Sequence, residues 1–295
     1  MKNLKNKEEL ANYIASLAQR AILYEVSTTP KPGLVDRDNS GSHKDMDFFT
    51  FMASSSVLYR GFFACAREGL CFDEVDNTNL LKKIRSHGME CEMAMFEATG
   101  GVNTHKGIIF SLGILSAVVG NLYKKNGFQN FPVETICEEV KKVAKDLTLR
   151  DFKNISSKKV LTHGERLYKE FGYTGIRGEI ESGFITVQKG TVHIIREWAI
   201  NNQFSMNDLF LEIIINLMAE SEDTNVIIRG GIDSLKSVKS ISKEFLMLGG
   251  MKQFHARKKL EQMNEDFIKK NLSPGGSADL LAVSIFMGMI EGIVK

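Results

Sequence analysis

Residues 107–120 read GIIFSLGILSAVVG, the longest apolar run in the chain. The run is too short to cross a bilayer, which takes roughly 20 residues. Being apolar on every side, it suits no surface helix either, so a helix buried in a protein core is expected. Residues 280–290, LLAVSIFMGMI, read the same way. Outward from these two runs helical spacing recurs almost everywhere, and strand alternation is scarce. Leu10, Ile14, Leu17, Ala21 and Tyr24 fall three or four residues apart. They predict a first helix capped at Asn6, with Glu9 completing a capping-box-like pattern, and halted by Pro30-Lys31-Pro32-Gly33. Further helices are expected over 45–68, 79–98, 105–124, 133–147, 159–171, 184–201, 206–221, 234–248, 251–270 and 277–294. Only four prolines interrupt 295 residues, which favours long helices. No linker composition and no repeat divides the chain. The expected fold is all-α: one domain over 1–295, of about ten or more helices, with its active site in Gly-rich polar loops.

The charge balance excludes one class of function. With 38 Lys and Arg against 36 Asp and Glu the net charge is +2, no basis for a nucleic-acid binder that works through bulk positive charge. Apolar residues at 43% and charged residues at 25% mark a globular rather than a disordered chain. The N-terminal stretch MKNLKNKEEL lacks the apolar core of a secretory signal, and neither apolar run is long enough for a span. Cys65, Cys71, Cys91 and Cys137 include no CxxC pair, so reduced thiols in a cytoplasm are expected.

Five polar, glycine-bearing segments border apolar helices: 29–47, 100–107, 174–184, 223–231 and 271–279. Read singly, each is a helix terminator or a solvated surface turn. Together they repeat one kit: glycine for close backbone approach, Arg or Lys for phosphate, and a carboxylate for a metal. That kit suits a polyphosphate, whose oxygens take helix N-terminal N–H groups and basic side chains. The segment Gly101-Val-Asn103-Thr-His105-Lys106 heads an apolar helix but is not a Walker A loop, since GxxxxGK[ST] and a preceding strand are both missing. Asp36, Asp45, Asp47, Asp223 and Asp279 are the candidate Mg²⁺ carboxylates. His43 and His105 are candidate ligands or phosphate donors, and the other four histidines read as structural.

The stretches LYEVSTTPKPGLVDRDNSGSHKDMDF (23–48), GVNTHKGIIFSLG (101–113), TGIRGEIESGF (174–184), DTNVIIRGG (223–231) and NLSPGGSADLLA (271–282) carry a family resemblance. In order, and over essentially the whole chain, they resemble the ATP:dephospho-CoA triphosphoribosyl transferases, also called 2-(5''-triphosphoribosyl)-3'-dephospho-CoA synthases. The resemblance implies a helical cytoplasmic enzyme with ATP and 3'-dephospho-CoA as substrates and Mg²⁺ accompanying ATP. It implies transfer of the triphosphoribosyl group to the acceptor's 2'-hydroxyl, with adenine released. The product would be the prosthetic-group precursor of the citrate lyase acyl carrier protein, passed on to a holo-acyl carrier protein synthase. Malonate decarboxylase is the alternative destination. No nucleic-acid or membrane partner is implied, and a homodimer is compatible with a sequence that does not fix the oligomeric state. A helical nucleotide N-glycohydrolase, passing the sugar to water, is the rival enzyme. A non-enzymatic CoA- or nucleotide-binding module would leave the acidic residues without a task.

Breaking the bond between adenine and the ribose builds oxocarbenium-like charge, which glycoside chemistry handles with two carboxyl groups. The implied linkage is α where ATP is β, so a single displacement with inversion is expected, needing a general base for the acceptor hydroxyl. Glu179 is the first candidate and Glu181 the second. On a helix the two would diverge by roughly 200°, whereas in an extended loop they would share a face. Lys31, Arg37, Lys106, Arg177 and Arg229 are assigned to phosphates. Asp36, Asp45 and Asp223, ahead of Asp47, are assigned to Mg²⁺. Asn103 and Asn225 are assigned to ribose hydroxyls or adenine, and the helix start at Gly275-Gly276 to an anion.

Overall fold

Both apolar runs become helices at the centre of the molecule, α4 (Lys106–Asn126) and α14 (Gly275–Glu291), in a computed structural model that describes residues 6–153, 155, 158, 160–201 and 205–295. From Ile108 to Tyr123 every residue of α4 except Phe110 is buried, and from Ser277 to Ile290 every residue of α14 except Asp279. By length and composition α4 would pass for a membrane span, but 83% of its apolar window is buried inside the protein.

Helices α1 (Lys7–Ser27), α2 (Phe48–Cys71) and α3 (Thr78–Ala98) pack around α4 on one side. On the other side α11 (Met206–Glu220) and α12 (Thr224–Met247) pack against α14. One contiguous apolar cluster runs through all of these. The α2–α4 crossing is close because it is made of glycine. A Cβ on Gly69 would land on the Ala117 carbonyl oxygen, and one on Gly120 on the Ala66 carbonyl oxygen. Shorter helices complete the shell: α5 (Val133–Val143), α6 (Leu147–Phe152), α7 (His163–Phe171), α8 (Ile176–Glu181), α9 (Ile185–Gly190), α10 (Val192–Asn201) and α13 (Ala256–Lys269), with a 3₁₀ turn at Gly250–Lys252. Among the described residues there is no strand, and the fold is all-α as expected.

Helix ends differ from expectation where a side chain or a left-handed residue intervenes. The first helix starts as read, Asn6 Oδ1 accepting the Glu9 N–H at 2.9 Å. The second begins at Phe48 rather than 45, because Asp47 and Thr50 form a capping box. The expected helix 133–147 is divided between α5 and α6, with Asp146 at φ 59. That over 184–201 becomes α9 and α10, with Phe184 left-handed in front and the helix broken at Thr191. Helix α12 starts ten residues before the expected 234, since Asp223 caps it and Gly231, at φ 78 and ψ 178, kinks it without ending it. Lys159, where α7 was expected to begin, lies outside the described residues. The observed start at His163 carries a Thr162–Glu165 capping box.

Candidate active site

The loop after α1 is organised by one buried carboxylate. Asp36 accepts the Thr29 hydroxyl (2.8 Å) and the N–H groups of Lys31 (2.9 Å), Asp38 (2.8 Å) and Asn39 (3.0 Å). Gly33, at φ 73, lies so close to the Leu272 carbonyl that a side chain would not fit, and its N–H donates to Asn264 at 2.8 Å. These bonds fasten the loop onto α13 and the entry to α14.

Around that loop the N-terminal turns of α4, α12 and α14 meet at a cavity of about 480 Å³. The loop contributes His43 and Asp45, the α4 entry Asn103, Thr104, Lys106 and Gly107, α12 Asn225 and Arg229, and the α14 entry Ser273, Gly275 and Asp279. Glu25 of α1 and His163 of α7 complete the polar wall, with Leu34, Val35, Met46, Phe51 and Ile108 as its apolar part. First-turn N–H groups lack intrahelical acceptors and carry the positive end of the helix dipole. Three such turns meet at this cavity; at α12 and α14 the Asp223 carboxylate already accepts N–H groups of Asn225, Val226 and Ser277, and at α4 Asn103 accepts that of Lys106.

Of the three carboxyls lining this cavity Asp45 is exposed, and Glu25 and Asp279 sit in different electrostatic company. Glu25, 2% exposed, forms an ion pair with the fully buried Lys31, whose ammonium also donates to the Glu25 carbonyl at 2.7 Å. Burial pushes the Glu25 carboxyl upward and Lys31 opposes that push. Asp279 has no hydrogen-bond or ion-pair partner among the described residues. Burial, then Asp223 and Glu25, hold its carboxyl well above the usual carboxylate range. The absence of a side chain at Gly107 is what leaves room for it.

Arg229 donates from Nη1 to the Ser42 carbonyl (3.0 Å) and Asn271 Oδ1 (2.9 Å), and from Nη2 to His43 Nδ1 (3.1 Å). A guanidinium only donates, so His43 Nδ1 accepts and its Nε2–H faces Ser273 Oγ at 2.8 Å. Burial, then the Arg229 charge, keep His43 below its ordinary value and therefore neutral near pH 7. Lys106 pairs with Glu92 at 2.8 Å while 55% exposed, a contact it can exchange for a phosphate.

The sequence model of the family described as ATP:dephospho-CoA triphosphoribosyl transferase matches residues 11–295. The chain belongs to this family. A probable 2-(5''-triphosphoribosyl)-3'-dephosphocoenzyme-A synthase of Albidiferax ferrireducens is 38% identical over 288 residues, covering 97% of this chain and 93% of the relative. The 2-(5''-triphosphoribosyl)-3'-dephosphocoenzyme-A synthase of Klebsiella pneumoniae is 37% identical over 282 residues, 94% and 90% of the two chains. No solved structure gives a significant match. As a member of the triphosphoribosyl transferase family the chain is a transferase, and its cavity is read in those terms.

Of the residues singled out on sequence, His43, Asp45, Asn103, Lys106, Asn225, Arg229, Gly275 and Asp279 line the cavity. The others do not, and most have a structural task. Lys31 is spent on Glu25. Arg37 is exposed outside the lining. His105 is buried behind the wall, its Nδ1 on Ser54 Oγ at 2.6 Å, and burial followed by the Lys31 charge pushes it down to about 3. Asp36 organises its loop and Asp47 caps α2, so neither is a free metal ligand. Asp223 is buried as a double cap, accepting the N–H groups of Asn225 (3.0 Å) and Ser277 (2.8 Å) at the starts of α12 and α14. Gly276 is small because Asp223 lies against it.

The segment 174–184 stands apart from the lining. Residues 176–181 are helical, so Glu179 and Glu181 diverge: Glu179 accepts the Thr186 hydroxyl, and Glu181 accepts the Thr148 hydroxyl. Arg177 pairs with Asp151 at 2.7 Å and lies over the Phe110 and Phe152 rings, away from any phosphate site. Sequence reasoning missed Glu25 and His163. Glu25 falls four residues after Ala21 on the apolar face of α1, and an acid on a buried face was the available signal.

Proposed function

We propose that the chain transfers the triphosphoribosyl group of ATP to the 2'-hydroxyl of 3'-dephospho-CoA and releases adenine. One observation carries this reading: a cavity lined by Lys106 and Arg229 also holds, beside the exposed Asp45, the carboxyls of Glu25 and Asp279, and of these last two only Glu25 has a counter-ion. The start of α4 and the two cations suit the triphosphate. Burial raises both carboxyls and only Glu25 has a cation beside it, an asymmetry that suits acid and base roles at one sugar carbon. Asp279 holds a proton and gives it to adenine as the bond from ribose C1' to N9 breaks. Glu25, ion-paired with Lys31, faces the positive charge developing on the sugar and takes the proton of the 2'-hydroxyl as the new C1'–O bond forms. One proton is delivered and one removed. The base assigned on sequence to Glu179 therefore moves to Glu25, since Glu179 is turned to Thr186 outside the cavity.

Magnesium would enter with the triphosphate. Among the described residues no three ligands form a cluster, but Mg²⁺ on a nucleotide needs only one or two carboxylates. Asp45, 63% exposed in the cavity wall, fits that need, its oxygens not being spent on backbone N–H groups. When bound, the ion would offset part of the triphosphate charge.

Mass analysis after mixing the protein with ATP, Mg²⁺ and dephospho-CoA tests the reading. An adduct of dephospho-CoA with triphosphoribose, and adenine release that requires the acceptor, are expected. Adenine released equally without acceptor would make the protein an N-glycohydrolase, and no adenine at all would refute both. The same proposal includes a cytoplasmic enzyme whose product passes to a holo-acyl carrier protein synthase serving citrate lyase. Charging of a malonate decarboxylase carrier instead would redirect the product.

A further inference from the structure

A second cavity adjoins the first. It measures about 500 Å³, lies between α7 and the kinked start of α12, and shares His163 with the first cavity. Helix α7 turns one continuous stripe toward it, His163, Arg166, Leu167, Glu170 and Phe171, at the spacing of a single helix face. The groove is open: Phe171 is 54% exposed, and Ile228 on the α12 wall is 41% exposed. The Arg166 guanidinium is exposed and has no hydrogen-bond or ion-pair partner among the described residues. At the α12 wall Gly231 interrupts the helix, and a Cβ there would meet nothing within 4 Å.

We propose that this groove holds the diphosphate and pantetheine arm of dephospho-CoA, the acceptor ribose entering the first cavity beside His163. The inference rests on the transfer reaction proposed above. A cavity filled by the triphosphoribosyl donor and the acceptor ribose must let the rest of the acceptor out, and the groove sharing His163 is the adjoining space. Its chemistry follows the arm in order. His163 and Arg166, nearest the first cavity, suit the two phosphates. Leu167, Phe171 and Ile228 suit the branched apolar carbons that follow, and Glu170 accepts from an amide N–H. From His163 to Phe171 the helix rises about 12 Å, which matches a diphosphate and the first part of the arm.

Calorimetric titration with dephospho-CoA and, separately, with MgATP tests this on the wild-type chain and on Ile228→Glu and Arg166→Glu, both exposed positions whose folding circular dichroism checks. Each variant is expected to bind dephospho-CoA at least ~10-fold more weakly, about 1.4 kcal/mol, with MgATP affinity unchanged. Unaltered dephospho-CoA binding in Ile228→Glu, or equal weakening for MgATP, would overturn the groove. A wild-type chain that transfers the group while Ile228→Glu binds dephospho-CoA normally sinks the groove alone. A chain that releases no adenine yet shows the expected binding differences sinks the reaction and keeps the groove.

Discussion

Asp279 is the one residue between Ser277 and Ile290 of α14 that is not fully buried, and Glu25 sits among the buried residues of α1. Core positions do not tolerate such groups without a reason, because a buried charge costs several kcal/mol unless paired. Asp279 therefore predicts opposite effects on turnover and stability. Asp279→Asn should cut adenine release by at least ~10²-fold, while Glu179→Gln leaves the rate in the wild-type range; the reverse order would return the chemistry to α8. The direction of the Asp279 shift fixes the pH behaviour. In the proposed mechanism its proton goes to adenine, so wild-type kcat/KM is expected to fall as pH rises through the raised value. A carboxyl raised on folding favours the folded state at low pH, and that advantage disappears as pH climbs from about 4, the unfolded value, through the folded one. Asp279→Asn removes this slope, so the variant gains in melting temperature over wild type as the solution becomes less acidic. Lys31→Met leaves Glu25 buried without its counter-ion and is expected to cost about 3–5 kcal/mol in urea denaturation. Adding Glu25→Gln should restore much of the stability and none of the activity.

Elements bring these residues together through backbone contacts that side chains would obstruct. A methyl at Gly120 must push α4 off the Ala66 carbonyl. Gly120→Ala is therefore expected to destabilise the fold by about 1–3 kcal/mol, with normal MgATP affinity in the protein that remains folded. Asp223→Ala uncaps α12 and α14 together, costing about 1–2 kcal/mol per helix end; a loss confined to metal affinity would contradict its role as a cap. The same elements show what could be read in advance. Runs 107–120 and 280–290 announced α4 and α14 because burial on all sides erases polarity from the sequence itself. The loops around His43, Asn103, Lys106 and Arg229 were legible because glycine and cation recur at helix starts. Asp45 and Asp279 were legible in the same way, and the other carboxylates were not. Asp36, Asp47 and Asp223 have the composition of metal ligands, but whether backbone N–H groups already occupy their oxygens depends on how the loop closes. The sequence leaves residues 176–181 open between helix and extended loop, since six residues flanked by Gly175 and Gly183 show no period, and the structure makes them helix α8. On that helix Glu179 is turned to Thr186 and lies outside the cavity lining.

Across the whole molecule a net charge of +2 gives no long-range attraction for a polyanion. On the function proposed above, affinity for ATP would come from local groups: the start of α4, Lys106, and an Arg229 that also ties Ser42, His43 and Asn271 together. Such interactions act within about 8 Å at physiological ionic strength. Ligand binding should therefore fasten α4, α12 and α14 to the loop after α1 and raise the stability of the entire chain. At a hundredfold excess over Kd the gain is about 2.7 kcal/mol, readable as a rise in Tm with MgATP that shrinks as salt is added. Arg229→Ala removes one cation and the loop's tie at once, so both the MgATP-induced rise and its dependence on salt should diminish. Arg229→Lys keeps the charge but loses the forked contacts to Ser42 and Asn271. It should recover the salt dependence while leaving the ligand-free protein less stable than wild type. If Arg229→Ala instead kept the wild-type salt dependence of ATP binding, the triphosphate would have to lie elsewhere, and the convergence of helix ends would be a packing feature alone.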